Sequence, residues 1–421
     1  MPDVPDPTRL PIGVGAELDD LLADDDRARA AGYPGPRPQR QPAHTVYVPA
    51  DRVDADLPRR WGGLALDLLA EHGGDPATLA AATGLDAEAV AAVLPGVLRR
   101  LAEHPVEDLR ADLEDGYGLR PDAAEDADAA AAATALAALS AADPDLWTGV
   151  RCKCLEPATR RRAVATLDVV VGTLAARGGV PERFVVTVPK VTSVAQVRAF
   201  GLLCKRLEEA HGLTEGTLRF EVQVETPQAV LSADGTATVA AMVHEGGPRL
   251  SGLHYGTYDY SASLGVAGAW QAADHPVADH AKAVMLVAAA QTGVWVSDGS
   301  TNVLPVGDRD AVHAAWRLHA RLVRRALEAG LWQGWDLHPG QLVTRHLTRA
   351  VVLRQALPAA VARLAAYRQG VAGGGVLDEP ATARSLAGLV VRALDAGAQD
   401  EAAVLAALGT DRPGLESLTR A

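Results

Sequence analysis

Two carboxylates, Glu225 and Asp259, are the residues of this sequence whose types and spacing point most directly to chemistry. They close two consecutive β-rich runs, and neighbouring strands lie about 4.8 Å apart. Carboxylates at that spacing repel each other unless a positive charge lies between them. Oxygen ligands with open positions suit Mg²⁺ or Mn²⁺, which take the rest of their shell from water and substrate, so the pair predicts a Mg²⁺ (or Mn²⁺) site. The alternative is that Arg151 pairs with one carboxylate while the other caps a helix.

Cationic side chains close other β-rich runs. In Arg151-Cys-Lys153-Cys the alternation of a strand places the two basic residues on one face and the cysteines on the other. Arg151 can bind a carboxylate with two hydrogen bonds, which predicts a small carboxylate substrate, although it could instead neutralise Glu114 or Asp115. Lys190 either supports the site electrostatically or acts as a Schiff-base nucleophile, and the sequence favours electrostatic support.

The elements that must position these residues alternate along the chain. Short β-rich runs occur at residues 44–49, 109–114, 147–154, 183–190, 218–225, 249–256, 293–298 and 332–338. Each is followed by a turn signal and a stretch of helical period. Eight strands interleaved with eight helical stretches predict an α/β fold, a TIM (β/α)8 barrel. A doubly wound open sheet is the alternative, but it needs a glycine-rich turn after its first strand, and residues 48–51 do not form one.

A barrel of this type carries its chemistry at the carboxyl-terminal ends of its strands. Charged or titratable residues are concentrated at the predicted ends, namely Glu114, Asp115, Arg151, Lys153, Lys190, Glu225, Asp259, Asp298 and His338. We interpret this concentration as an active site.

Three segments exceed the predicted barrel, which spans residues 44–370. Residues 1–43 form an acidic N-terminal extension, and residues about 75–104 form a helical insertion. The insertion has helix-turn-helix spacing, but its second helix is acidic and offers no donor to base edges, which favours a small packing subdomain. Residues 371–421 form a C-terminal helical segment beyond a triple-glycine hinge at 373–375, and we expect this segment to act as a lid.

Composition argues against several classes of protein. The formal charge is −13 and no basic stripe is present, so neither nucleic acid nor a membrane surface is expected as a partner. The N-terminus lacks the features of a signal peptide, and the longest uncharged stretches fall short of the roughly 20 residues that span a bilayer. Three cysteines fit no disulfide framework. We expect a cytoplasmic protein.

Eight short motifs in order give the chain a family resemblance. They lie at residues 112–115, 151, 188–190, 225–226, 256–260, 297–299, 334–341 and 377–380. With them the sequence resembles the HpcH/HpaI aldolase and citrate lyase β-subunit superfamily, which consists of metal-dependent barrel lyases acting on 2-keto or hydroxy acids and their thioesters.

The resemblance implies roles for individual residues. It implies that Glu225 and Asp259 hold Mg²⁺ and that Arg151 is catalytic and binds the oxygens of the substrate. Glu114 and Asp115 would be catalytic by orienting bound water or the lysines Lys153 and Lys190.

The resemblance also supplies residues around the substrate. Lys190, Gly256, Thr257 and His338 would contact it. Asp378 would match an acid/base that family members bring over the site, often from a neighbouring subunit, which implies a homo-oligomer. The sequence departs from the aldolase branch because Asp115 stands where that branch has a catalytic histidine. No basic cluster for CoA phosphates can be identified, so a CoA thioester stays open as a substrate.

Together these observations predict a Mg²⁺-dependent carbon–carbon lyase or aldolase, or the reverse condensation. It would act on a small 2-keto or hydroxy acid, or its thioester, through a metal-stabilised enolate. Two alternatives are an acyl-CoA thioesterase on the same scaffold and a non-catalytic, partner-dependent lyase subunit.

Overall fold

Eight parallel strands form the centre of the computed structural model, which describes residues 10–11, 13–369 and 379–419. They are β1 (His44–Pro49), β2 (Asp108–Asp112), β3 (Trp147–Arg151), β4 (Phe184–Val188), β5 (Arg219–Val224), β6 (Leu250–Tyr255), β7 (Trp295–Ser297) and β8 (Gly334–Asp336). Their order runs from β7 through β6 to β1 and then β8. A parallel bridge between Ser297 and Gln333 joins β7 to the residue before β8. The strands therefore close into the predicted (β/α)8 barrel, and the open-sheet alternative is wrong.

Helices cover the outside of the barrel. They are α1 (Val14–Gly32), α2 (Leu57–Leu68), α3 (Pro76–Thr83), α4 (Ala87–Glu103), α5 (Asp122–Ala142), α6 (Arg160–Ala176), α7 (Val194–His211), α8 (Pro227–Val230), α9 (Thr238–Gly246), α10 (Thr257–Ser263), α11 (Pro276–Ala289), α12 (Arg309–Glu328), α13 (Pro339–Arg368), α14 (Pro380–Asp395), α15 (Glu401–Leu408) and α16 (Arg412–Leu418). Side-chain caps fix several starts: Ser193 accepts from the backbone of Gln196, and Asp308 accepts from that of Ala311.

The interior of the barrel is charged as well as apolar. Arg110 is buried, donates to Asp108, and reaches Glu221 Oε2 at 3.2 Å. Burial alone lowers the pKa of Arg110, but the two carboxylates raise it by more. His254 adds a contact of 3.1 Å between its Nε2 and Glu221 Oε2. Because each buried charge has a partner, this layer supports the rim above it without an unpaired ion.

The N-terminal extension contributes one helix and one strap. Helix α1 buries no residue, whereas residues 36–41 run beneath the amino-terminal ends of the strands. Arg37 donates to the carbonyl of Leu250, the first residue of β6, at 2.6 Å. Arg40 pairs with Glu107, the residue before β2, at 2.9 Å.

The predicted helical insertion consists of α3 and α4, which pack on α2, α12 and α13. Val90 and Leu101 of α4 are fully buried in the main core. The insertion is thus a packing element of the barrel wall, as the sequence indicates. No single described helix is long and apolar enough to cross a membrane; α3 and α4 pass that test only together, with a bend of 107° between them.

The C-terminal helices occupy a different place from the one expected. With 30 residues, α13 is about 45 Å long, far longer than the strands it follows. Its second half extends past the amino-terminal end of the barrel, where Leu357 and Leu364 form a second hydrophobic cluster with Val390 of α14 and Leu415 of α16. The described helices α14–α16 therefore do not form a lid over the rim of their own barrel. Instead they cover the apolar stripe that the overlong α13 exposes.

Candidate active site

The carboxyl-terminal rim of the barrel gathers most of the charged residues predicted for the site. Arg151 is the last residue of β3, and Lys190 and Glu225 lie just beyond β4 and β5. Asp259 lies in the first turn of α10, after β6, and Glu114 follows β2. The rim forms because parallel strands end at the same edge of a barrel, so residues far apart in sequence become neighbours.

Arg151 is held by a residue that the sequence argument did not assign to it. Its Nε and Nη2 donate to the two carboxylate oxygens of Asp112, both at 2.7 Å, and the pair is buried. The third nitrogen, Nη1, lies 3.6 Å from Glu114 Oε2, and the guanidinium carbon lies 4.9 Å from the centre of the Tyr47 ring. Burial alone lowers the pKa of Arg151, but Asp112 and Glu114 raise it by more. The bidentate face of Arg151 is thus committed to Asp112, and Nη1 is the nitrogen left for a ligand.

Lys190 lies at the centre of the carboxylates. Its ammonium nitrogen is 2.6 Å from both Glu114 Oε1 and Asp115 Oδ2, and 3.3 Å from Asp259 Oδ2. Burial alone lowers the pKa of Lys190, whereas Glu225 and Glu114 raise it by more. The lysine is therefore protonated, which makes its amine a poor Schiff-base nucleophile and favours the electrostatic role.

Glu225 is a deeply buried carboxylate of the rim, at 3% exposure. One oxygen accepts the backbone N–H of Lys190 at 2.7 Å. Burial raises the pKa of Glu225 from 4.5 to about 7, opposed by Lys190 and Arg151 and reinforced by Asp259. A β-carbon on Gly256 would lie 2.4 Å from Glu225 Oε2, so a glycine is needed there for Glu225 to adopt this position.

The charges of the rim do not balance. Five carboxylates, those of Asp112, Glu114, Asp115, Glu225 and Asp259, share the cations of Arg151 and Lys190. Asp115 and Asp259 are about half exposed to water, so the buried Glu225 is the carboxylate that most needs a proton or a further cation. Among the described residues, no three His, Cys, Asp or Glu side chains come close enough to hold a metal ion together. A cation at the rim would thus have at most two of these side chains as ligands, and Mg²⁺ commonly takes the rest of its shell from water and substrate.

Other predicted residues have partners away from this cluster. Lys153 donates to Glu125 of α5 at 2.6 Å rather than to Glu114 or Asp115. Asp298 pairs with Lys282 at 3.0 Å.

The remaining predicted substrate contacts have local structural roles. The hydroxyl of Thr257 donates to the carbonyl of Ser300 at 3.1 Å. His338 caps α13 by accepting the N–H of Gly340, and burial lowers its pKa. Asp378 lies outside the described residues, so its proposed role stays a prediction.

The sequence argument also missed Gln223. Two residues before Glu225 on the same face of β5, Gln223 is fully buried. Within the described chain, neither its amide nitrogen nor its amide oxygen has a hydrogen-bond partner. A buried amide without protein partners costs free energy unless a water or another bound molecule pairs with it. The signal in the sequence was its spacing of two residues from Glu225, which places both side chains on one face of the extended chain.

Comparison with known proteins gives a family and distant structural likenesses. A family model described as a domain of unknown function, DUF6986, matches residues 22–421. No curated protein matches the chain.

Among solved structures, the chain is similar to malate synthase of Haloferax volcanii. The lead(II) complex is 21% identical with a TM-score of 0.46, over 57% of this chain and 63% of that one. The native form at 3 mM glyoxylate is 16% identical with a TM-score of 0.47, over 86% and 100%. The magnesium/glyoxylate complex is 14% identical with a TM-score of 0.46, over 85% and 99%.

Proposed function

The chain belongs to the DUF6986 family, and we propose that it is a Mg²⁺- or Mn²⁺-dependent carbon–carbon lyase, aldolase or condensing enzyme acting on a small 2-keto or hydroxy acid. The observation that carries the proposal is the buried, under-compensated carboxylate Glu225 beside Asp259, with Arg151 and Lys190 next to them. The motifs shared with the HpcH/HpaI and citrate lyase β-subunit superfamily agree with this proposal. A CoA thioester as one substrate is a finer proposal on the same site.

Glu225 and Asp259 are the residues that would hold the cation. When bound there, a divalent cation would supply Lewis-acid stabilisation of the negative oxygen that forms when a bond beside a carbonyl breaks. Its charge would also reduce the excess of negative charge among the five carboxylates of the rim.

The chain's own residues would bind and orient the substrate. Arg151, fixed by Asp112, offers Nη1 to a substrate carboxylate. Gln223 offers a donor and an acceptor to a substrate oxygen that reaches below Glu225. Lys190 holds Glu114 and Asp115 in place, and one of these carboxylates is the base that moves the proton.

Titration with Mn²⁺, followed by electron paramagnetic resonance, tests the metal site. Glu225→Gln and Asp259→Asn should each weaken binding by at least tenfold. Asp298→Asn is the matched control, because this carboxylate also ends a strand but pairs with Lys282, and it should bind Mn²⁺ like the unmodified protein. Equal affinity in all four proteins would remove Glu225 and Asp259 as ligands.

Exchange of the methyl protons of pyruvate in D₂O, followed by NMR, tests enolate formation without knowledge of the second substrate. We expect exchange with Mg²⁺, none with EDTA, and loss in Glu225→Gln. Borohydride should leave the protein unlabelled. Exchange that survives EDTA together with borohydride labelling of Lys190 would establish a Schiff-base aldolase instead, and hydrolysis of acyl-CoA without exchange would establish a thioesterase.

A further inference from the structure

A large cavity lies at the opposite end of the barrel from the rim. It is a cleft of about 720 Å³ between residues 36–41, the segments that enter β7 and β8, and helices α13, α14 and α16. Trp295 is the first residue of β7 and Trp332 lies two residues before β8, which places the cleft at the amino-terminal ends of the strands. Its volume lies in the range of about 300–1,000 Å³ that is usual for small-molecule sites.

The cleft is rich in arginine although the chain as a whole is acidic, with a formal charge of −13. The arginines among its lining residues are Arg37, Arg40, Arg349, Arg384, Arg392 and Arg412. Among the described residues, the acids that line it are Asp395 and Glu416, and both pair with Arg412. Even without Arg384, the arginines outnumber the acids among the described residues that line the cleft.

A buried carboxylate behind the wall accounts for two of the arginines. Glu107 pairs with Arg40 at 2.9 Å and lies 3.6 Å from Arg349. This single carboxylate also pairs with Arg100 at 2.9 Å, so it cannot neutralise the group. Burial lowers the pKa of Arg349 to about 10, opposed by Glu107 and reinforced by Arg40 and Arg100.

Two further arginines have no carboxylate partner within the described part of the chain. Arg37 donates to the carbonyl of Leu250, and burial together with Arg219 lowers its pKa to about 10. Arg392 donates to the carbonyl of Gly388, and its guanidinium lies 4.5 Å from the centre of the Trp332 ring. Partly buried cations that are held by carbonyls and an aromatic face, and repelled by other cations, are suited to bind an anion.

We propose that this cleft binds a phosphorylated ligand that carries a planar ring, namely a nucleoside phosphate or a compound containing one. The guanidinium groups of Arg37 and Arg392 would bind phosphate oxygens, for which the planar fork of arginine is well matched. The partly exposed rings of Trp295 and Trp332 would contact the base, because an aromatic side chain can stack on the flat face of any base. The site is separate from the rim, and the proposal does not rest on the proposed function.

Isothermal titration of the full chain with ADP, ATP, coenzyme A and inorganic tripolyphosphate tests the site. We expect micromolar binding of at least one nucleotide, weakened by tenfold or more in Arg392→Gln and in Arg37→Gln. Trp332→Leu should weaken nucleotide binding but not tripolyphosphate binding. Tighter binding of coenzyme A than of ADP would identify coenzyme A as the ligand whose nucleoside phosphate the cleft binds.

A second variant distinguishes loss of nucleotide binding from loss of folding. Ser385 is exposed on α14 and lines the cleft, so Ser385→Glu adds a repelling charge without removing a contact, and it should weaken nucleotide binding at least fivefold. The control is Arg198→Gln, since Arg198 is an exposed arginine paired with Glu245, and its affinity should be unchanged. Absence of nucleotide binding, or affinity that is the same in Arg37→Gln, Arg392→Gln and Ser385→Glu as in the unmodified protein, would overturn the proposal.

Discussion

The backbone N–H of Lys190 donates to Glu225 Oε1 across 2.7 Å, from a residue whose φ is +52°. A non-glycine residue in this left-handed region costs roughly 1–3 kcal/mol. The conformation is stabilised by what it achieves at both ends of the residue. The N–H anchors the buried carboxylate, while the ammonium reaches the carboxylates of Glu114, Asp115 and Asp259. One residue thus couples the predicted metal ligand to the predicted base.

Removal of the Lys190 charge should increase, not decrease, the affinity for a divalent cation. Lys190→Met keeps the backbone N–H that holds Glu225 but removes a cation that competes for the same carboxylates. We expect Mn²⁺ to bind about five- to tenfold more tightly, which corresponds to roughly 1–1.4 kcal/mol, while proton exchange of pyruvate is lost. Weaker Mn²⁺ binding in this variant would mean that the ammonium is needed to hold the carboxylates in position.

Glu225 should make the metal-free protein less stable as pH rises. Its pKa is raised from 4.5 to about 7 by burial, so between those values the folded state keeps a proton that the unfolded state has lost. The contribution of Glu225 to stability is fully present below about pH 4.5 and is lost, by roughly 3 kcal/mol, as pH rises through 7. The measurement is urea unfolding in EDTA from pH 4 to 8, with Glu225→Gln as reference.

The difference between the two proteins isolates the contribution of Glu225, because other titrating groups are common to both. The unmodified protein should lose stability relative to Glu225→Gln across this window, and saturating Mg²⁺ above pH 7 should reverse the loss. A constant difference at all pH values would show that folding does not shift the pKa of Glu225.

The buried pair of Arg151 and Asp112 should differ sharply from an exposed pair of the same type. Arg151→Met leaves a buried carboxylate without a partner and should destabilise the protein by about 3–5 kcal/mol. Arg198→Met breaks an exposed bidentate pair with Glu245 and should cost less than about 1 kcal/mol. Chemical unfolding at pH 7 measures the change in the free energy of unfolding for both variants.

The conservative change Arg151→Lys separates structure from function at the same position. An ammonium retains the charge but cannot donate to both oxygens of Asp112 while leaving a nitrogen for substrate. We expect a folded protein with at least tenfold slower proton exchange of pyruvate. Unchanged exchange would make Arg151 a structural counter-ion.

Strand positions could be predicted from sequence because each strand is a short buried run bounded by turn residues. The predicted run 44–49 coincides with β1, whereas 147–154 ends as a strand at Arg151, since the last residues leave the sheet to form the rim. The partner of Arg151 could not be predicted. It depends on the register of β2 against β3, which aligns Asp112 with Arg151, and the alternation of side chains does not fix register between strands.

The arginine cleft was beyond sequence reasoning for a different reason. Arg37 and Arg392 are separated by most of the chain, and only the length of α13 brings the C-terminal helices back beneath the strands. In a chain with 40 basic residues, nearly all of them arginine, no single arginine could be distinguished. The amphipathic stretch after residue 380 predicted that a helix would dock, but the expected place over the rim is not where α14–α16 lie.

The C-terminal helices should behave as a structural cap of the lower barrel. Val390 of α14 is fully buried in the second hydrophobic cluster, and Val287 of α11 is 79% exposed. Val390→Ala should cost about 2 kcal/mol, and Val287→Ala should cost close to nothing. Mn²⁺ affinity at the distant rim should be unchanged in both.

Truncation after residue 369 would expose Leu353, Leu357 and Leu364 and should give a protein that self-associates, measured by analytical ultracentrifugation. A monomeric truncated barrel as stable as the full chain would show that α14–α16 contribute no stability to it.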